Sequence, residues 1–231
     1  MAKGLHPLGS LAGLGVFAIA MAYLEAAVVV YLRRLYYPEG FSFPMKLADP
    51  FVAKVEIGRE IATIFMLLAV ALISEKGAIR RFLAFGFAFG VWDIFYYLWL
   101  KLLLDWPAGW LDWDVLFLVP VPWFGPWITP ALIALVLSVV SGTLLLLARE
   151  DQMIKIGFPE AILAAAGASA CLFSFTFDGF RLLPGGADAI RMFVPARFLW
   201  EAYLPGLLLI VAAGAWAICR NARRPGNEPG P

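Results

Sequence analysis

"KVEIGREIATIFMLLAVALIS", Lys54–Ser74, opens with charges and closes as an unbroken apolar run. Counted from Phe51, the apolar stretch is long enough to cross a bilayer, which takes about 20 mostly apolar residues. Yet Glu56, Arg59 and Glu60 sit inside it. Charges at that depth cost several kcal/mol each, so they mark a pairing or a site.

Five further runs of this kind follow from the same count. The six candidates are Leu11–Leu32, Phe51–Ser74, Phe82–Leu104, Trp127–Ala148, Pro159–Phe177 and Phe198–Cys219. The chain is 62% hydrophobic, with a mean hydropathy of +0.83. Soluble domains are usually about half apolar, so the excess calls for lipid. The expected fold is all-α: one polytopic membrane helix bundle over residues 1–231, with a short tail at 220–231. Connections such as "YYPEGFSFP" and "RLLPGGADA" carry the Pro and Gly that stop helices. "AIA" at Ala18–Ala20 imitates a signal-peptide cleavage site, but the apolar run continues to Arg33, so a retained helix is expected.

Lys and Arg concentrate on the cytoplasmic side of short loops. With six crossings, the set that includes Lys3, Lys76, Arg149 and Arg220 holds nine cations, against six in the set that includes Arg33, Lys46 and Arg181. Both termini are therefore expected in the cytoplasm, and the protein in a plasma or inner membrane. The third connection fits the outer side, because it carries Asp105, Asp112 and Asp114 and no cation. It also holds Trp106, Trp110, Trp113, Trp123 and Trp127, and its Pro120, Pro122 and Pro126 forbid a regular helix. Trp favours the membrane–water interface, so a cap lying on the outer surface, or dipping slightly into it, is expected, as an anchor or as a lid.

The net charge of +1 and the lack of a basic arm give no footprint for nucleic acid. His6 is the only histidine, which excludes a bis-His haem, a multi-His zinc site and a Ser-His-Asp triad within this chain. Cys171 and Cys219 lie in apolar runs and read as packed thiols.

The deep acids share one depth. At ~1.5 Å rise per residue, Glu56 lies ~8 Å, Glu25 ~10 Å, Glu60 ~14 Å and Asp93 ~16 Å from the outer ends of their spans. Three helices contribute, and all four carboxyls fall in the outer half. Glu56, Glu60 and Thr63 share a face of the second helix. Gly86, Gly90, Asp93, Tyr97 and Lys101 form a stripe on the third, where the GxxxG spacing of "GFAFG" permits close helix approach. Arg59 is the one deep cation expected, because Arg33 and Arg34 reach water most cheaply at the interface. In the sixth run, Pro205 frees the carbonyl of Glu201, which adds an acceptor beside a carboxylate.

The expected site is therefore a cation- or proton-binding cluster of Glu25, Glu56, Glu60 and Asp93, with Arg59 as charge partner and Tyr97 and Glu201 as accessories. A small proton- or cation-coupled carrier, or a carrier subunit, suits such a cluster best. A non-catalytic subunit or assembly factor would use the same charges to specify helix packing, within a homo-oligomer or beside partner subunits. A membrane-embedded enzyme would use them to hold a hard divalent cation, which oxygen ligands suit.

Overall fold

The computed structural model describes residues 7–46, 49–148 and 153–223. Lys3, His6, Arg149 and Arg224 lie outside the described residues. Six of the described helices are long and apolar enough to cross a membrane. They are α1 (Pro7–Tyr36), α2 (Pro50–Ser74), α3 (Ala78–Leu104), α4 (Ile128–Leu147), α5 (Phe158–Leu182) and α7 (Trp200–Ala222). A short α6 (Gly186–Arg191) lies in the connection that precedes α7.

Local chemistry sets several ends. Asp49 caps α2 by accepting from the Phe51 N–H at 2.7 Å, and Pro50 occupies the first turn, where no amide donor is needed. α3 stops at Asp105, which takes the left-handed conformation with φ of 53° and donates its N–H to the Lys101 carbonyl. Lys101 itself reaches the Asp105 carboxylate at 2.7 Å and the Pro107 carbonyl at 3.0 Å. α5 runs on past Phe177, where the apolar run ends, to Leu182. Asp178 and Arg181 close the apolar stretch but not the helix, and lie 3.9 Å apart one turn from each other.

α3 is central: it packs along α1 and α4, with α2 beside it. α4 then meets α7, and α7 packs along α5. Small residues allow the two closest pairings. A side-chain carbon on Gly86 would stand 2.8 Å from the Ser141 hydroxyl, and one on Gly90 would stand 3.0 Å from the Ser138 nitrogen. Gly167 and Gly206 meet in the same way between α5 and α7. Gly86, Gly90, Asp93 and Tyr97 are all buried on the stripe read from the sequence, while Lys101 is exposed.

The third connection is a folded element. It forms an antiparallel hairpin of β1 (Trp113–Phe117) and β2 (Trp123–Pro126), with Asp114 opposite Gly125 and a bulge between Val115 and Phe117. Its Asp114, Val121 and Phe124 are buried, so the hairpin is seated in the bundle rather than laid on it. Strand pairing satisfies the backbone that the prolines bar from a helix. Of the five tryptophans in this connection, only Trp110 is exposed. Trp123 stacks on Phe175, Trp113 meets Phe198 edge-on, and the Trp127 indole donates to the Gly109 carbonyl at 2.8 Å.

Candidate functional site

The acids read as one cluster divide into separate arrangements. In the first, Arg59 on α2 forms ion pairs with Glu25 on α1 and with Glu56 one turn before it, the latter at 2.8 Å. The Thr63 hydroxyl lies 3.0 Å from Glu25 Oε2 and 3.1 Å from the Arg59 carbonyl, and donates between them. The residues at 56, 59 and 63 fall within two turns of α2, so helical spacing alone assembles this half of the clamp. Packing of α1 supplies Glu25.

Glu60 does not join the clamp. It is buried, and its Oε2 accepts the Leu118 N–H at the tip of the hairpin, at 2.8 Å. The hairpin thus has one of its otherwise unpaired amides met by a carboxylate from α2.

A second ion pair was not legible in the sequence. Arg33 turns inward rather than toward the interface and is 7% exposed. Its Nη2 lies 3.0 Å from Oδ1 of the buried Asp114. The guanidinium sits 3.8 Å from the Trp106 ring centre and 4.5 Å from that of Phe41. Two aromatic faces and a carboxylate replace the water that would otherwise favour the interface. Burial pushes the Asp114 carboxyl above the usual carboxylate range. The Arg33 charge, the Val115 amide and the Tyr97 hydroxyl pull it back. Tyr97 Oη is 3.4 Å from Asp114 Oδ2, so this accessory residue serves Asp114.

Asp93 stands apart. It is buried, and its Oδ2 has no hydrogen-bond partner. It lies within electrostatic reach of Asp114, and Tyr96 is within reach of Asp93, Asp114, Arg33 and Arg59. Asp93 also lines a partly open cavity of about 620 Å³ formed among α3, α4, α5, α7 and the hairpin. The remaining accessory, Glu201, is exposed at the start of α7 and pairs with Arg197, so it does not converge with the other acids.

The opposite end of the bundle carries its own polar tie. Glu160, in the first turn of α5, is 1% exposed and accepts from Arg220 Nε at 2.5 Å. Asn221 accepts the Lys155 N–H at 3.1 Å and donates to the Lys155 carbonyl at 3.0 Å. An acid in a first helical turn and an arginine in a last one each suit the helix dipole, and that was the available signal. Their pairing across α5 and α7 was not.

Among the described residues, no group of three or more His, Cys, Asp and Glu is arranged to hold a metal ion. The chain matches no known family, no curated protein and no solved structure. Chemically, Glu25 and Glu56 are occupied with Arg59 and Thr63, and Glu60 with the Leu118 amide. Asp93 retains an acceptor that can take up a proton or meet a donor from a bound molecule.

Proposed function

We propose that this is a multi-pass membrane protein with both termini in the cytoplasm, acting as a small carrier or carrier subunit in which Asp93 is the group that exchanges a proton or cation. The observation that carries it is the contrast between Asp93 and the other acids. Glu25 and Glu56 share Arg59, and Glu60 holds Leu118, whereas Asp93 Oδ2 is buried without a partner beside a cavity. A buried carboxyl without a partner favours proton uptake or a bound donor over bare charge. In this proposal Glu25, Glu56, Glu60 and Arg59 keep the framework in place, which is the packing role the clamp geometry favours. Infrared titration of purified protein between about pH 5 and about pH 8 tests it, since a carboxyl that exchanges a proton at working pH must titrate near that pH. The wild type should show a buried carboxyl signal that Asp93→Asn removes, while Glu25→Gln leaves it in place. Identical spectra for wild type and Asp93→Asn would rule out exchange at this residue.

A further inference from the structure

α3 packs on α4, α4 on α7 and α7 on α5, and the cavity lined by all four lies between α3 and α5. Its edges are open. Phe82 on α3 is 68% exposed, and Ala161, Ala165, Ala168 and Leu172 are exposed along one face of α5. The cavity is therefore a groove that opens sideways out of the bundle. In a membrane-spanning bundle that side faces lipid.

The hairpin bars one end of the groove. Toward α2, Glu60 accepts the Leu118 N–H at its tip at 2.8 Å. Toward α5, Trp123 stacks on Phe175, and a side-chain carbon on Gly179 would collide with the Pro122 carbonyl. Leu116, Phe117 and Trp123 line the groove at this bar. Below it the lining runs from Asp93 to Phe82 on α3 and from Leu172 to Ala161 on α5, ~16 Å on each at the helical rise. One leaflet contributes ~15 Å of a ~30 Å hydrocarbon core. A transmembrane helix needs the whole thickness and would run into the hairpin. An acyl chain from one leaflet needs only the part that is open.

The foot of the groove decides the head group. Phe82 and Ile156 line it there, and the residue before each is an exposed cation, Arg81 and Lys155. The acids at this end are already taken, Glu75 by Arg80 and Glu160 by Arg220. Arg81 donates from Nε to the uncharged Glu75 carbonyl at 3.0 Å. The Lys155 backbone is fixed by Asn221, at 3.1 Å and 3.0 Å. Two cations at the foot of an apolar groove suit a phosphate that brings no cation of its own.

We infer that this groove holds an anionic phospholipid from the leaflet bordering the α2–α3 and α4–α5 connections, its acyl chain between α3 and α5 and its phosphate met by Arg81 and Lys155. The inference goes beyond the role proposed for Asp93 and does not depend on it.

The test is native mass spectrometry of the delipidated full-length protein, titrated with phosphatidylglycerol or phosphatidylcholine carrying the same acyl chains. Phosphatidylglycerol should bind about fivefold tighter or better. Arg81→Gln and Lys155→Gln should each weaken it by about fivefold, the usual scale for one cation beside an anionic head group, and leave phosphatidylcholine unchanged. Arg181→Gln with Arg191→Gln, at the other end of the bundle, should change neither. Ala165→Phe fills the groove and should weaken both lipids, whereas Ala166→Phe adds the same bulk at an exposed position off the groove and should weaken neither. Asp93→Asn should bind as wild type does, so a failure of proton exchange at Asp93 and a failure of lipid binding are read separately. Equal affinity for the two lipids, equal loss in Ala165→Phe and Ala166→Phe, or unchanged binding in Arg81→Gln and Lys155→Gln would each overturn the inference. A wild-type dimer that Ala165→Phe splits would overturn it too, by placing a second copy in the groove.

Discussion

Arg33 and Asp114 are joined at 3.0 Å across 81 positions of sequence, which ties the end of α1 to the first strand of the hairpin. Both side chains are buried, and the pair is roofed by Trp106 and Phe41. Breaking a buried pair from one side typically costs ~3–5 kcal/mol, because the remaining charge is stranded. Arg33→Leu should therefore lower thermal stability in detergent.

The pH dependence of that variant follows from Asp114. Its carboxyl is raised by burial and pulled back chiefly by the Arg33 charge. Removing Arg33 raises it further. An acid whose folded pKa exceeds its unfolded value gives the folded state its advantage at low pH, and loses it as pH climbs through the folded value. Arg33→Leu should thus be closer to wild type at about pH 5 than at about pH 8. Asp114→Asn in the same background should remove this slope. A melting-temperature deficit that is equal at both pH values would count against the pairing.

Arg59 clamps α2 to α1. Arg59→Leu strands Glu25 and Glu56 together and should cost on the order of 3–5 kcal/mol. Lys54→Leu, at an exposed position of the same helix, should cost far less. A double-mutant cycle between Arg59 and Glu25 measures the coupling directly, and a value near zero would remove the clamp from the account.

Gly90 tests the packing of α3 on α4. A methyl group there meets the Ala134 carbonyl and Ser138. Gly90→Ala should destabilise by ~1–3 kcal/mol, the usual cost of overpacking, despite the better helix propensity of alanine. Gly13→Ala, where the new carbon meets nothing within 4 Å, should be neutral or slightly stabilising. Chemical denaturation of the two variants, side by side, reads the difference.

Membrane orientation is checked with cysteine labelling. Trp110 is the exposed tryptophan of the hairpin connection, and Cys171 and Cys219 can first be replaced by Ser and Ala. A Trp110→Cys variant in intact cells should react with an impermeant maleimide from outside. Reaction only after permeabilisation would invert the proposed topology.

What the sequence determined is what repeats locally. Length and hydropathy along a helix mark the six apolar runs, because each run reports its own environment residue by residue. Helical spacing placed Gly86, Gly90, Asp93 and Tyr97 on one face of α3, and placed Glu56 beside Arg59 on α2. Proline content excluded a helix between Trp106 and Trp127. Tertiary structure decided the rest. Arg33 was expected at the interface because water is the cheapest partner for an isolated cation. It turns inward because Trp106, Phe41 and Asp114, none of them its neighbours in sequence, are brought around it. Glu60 shares a helix face with Glu56 but reaches the hairpin instead of Arg59, since the position of Leu118 depends on how the strands pair. The cavity at Asp93 has no local signature at all: four helices and a hairpin line it, and only their packing leaves the space.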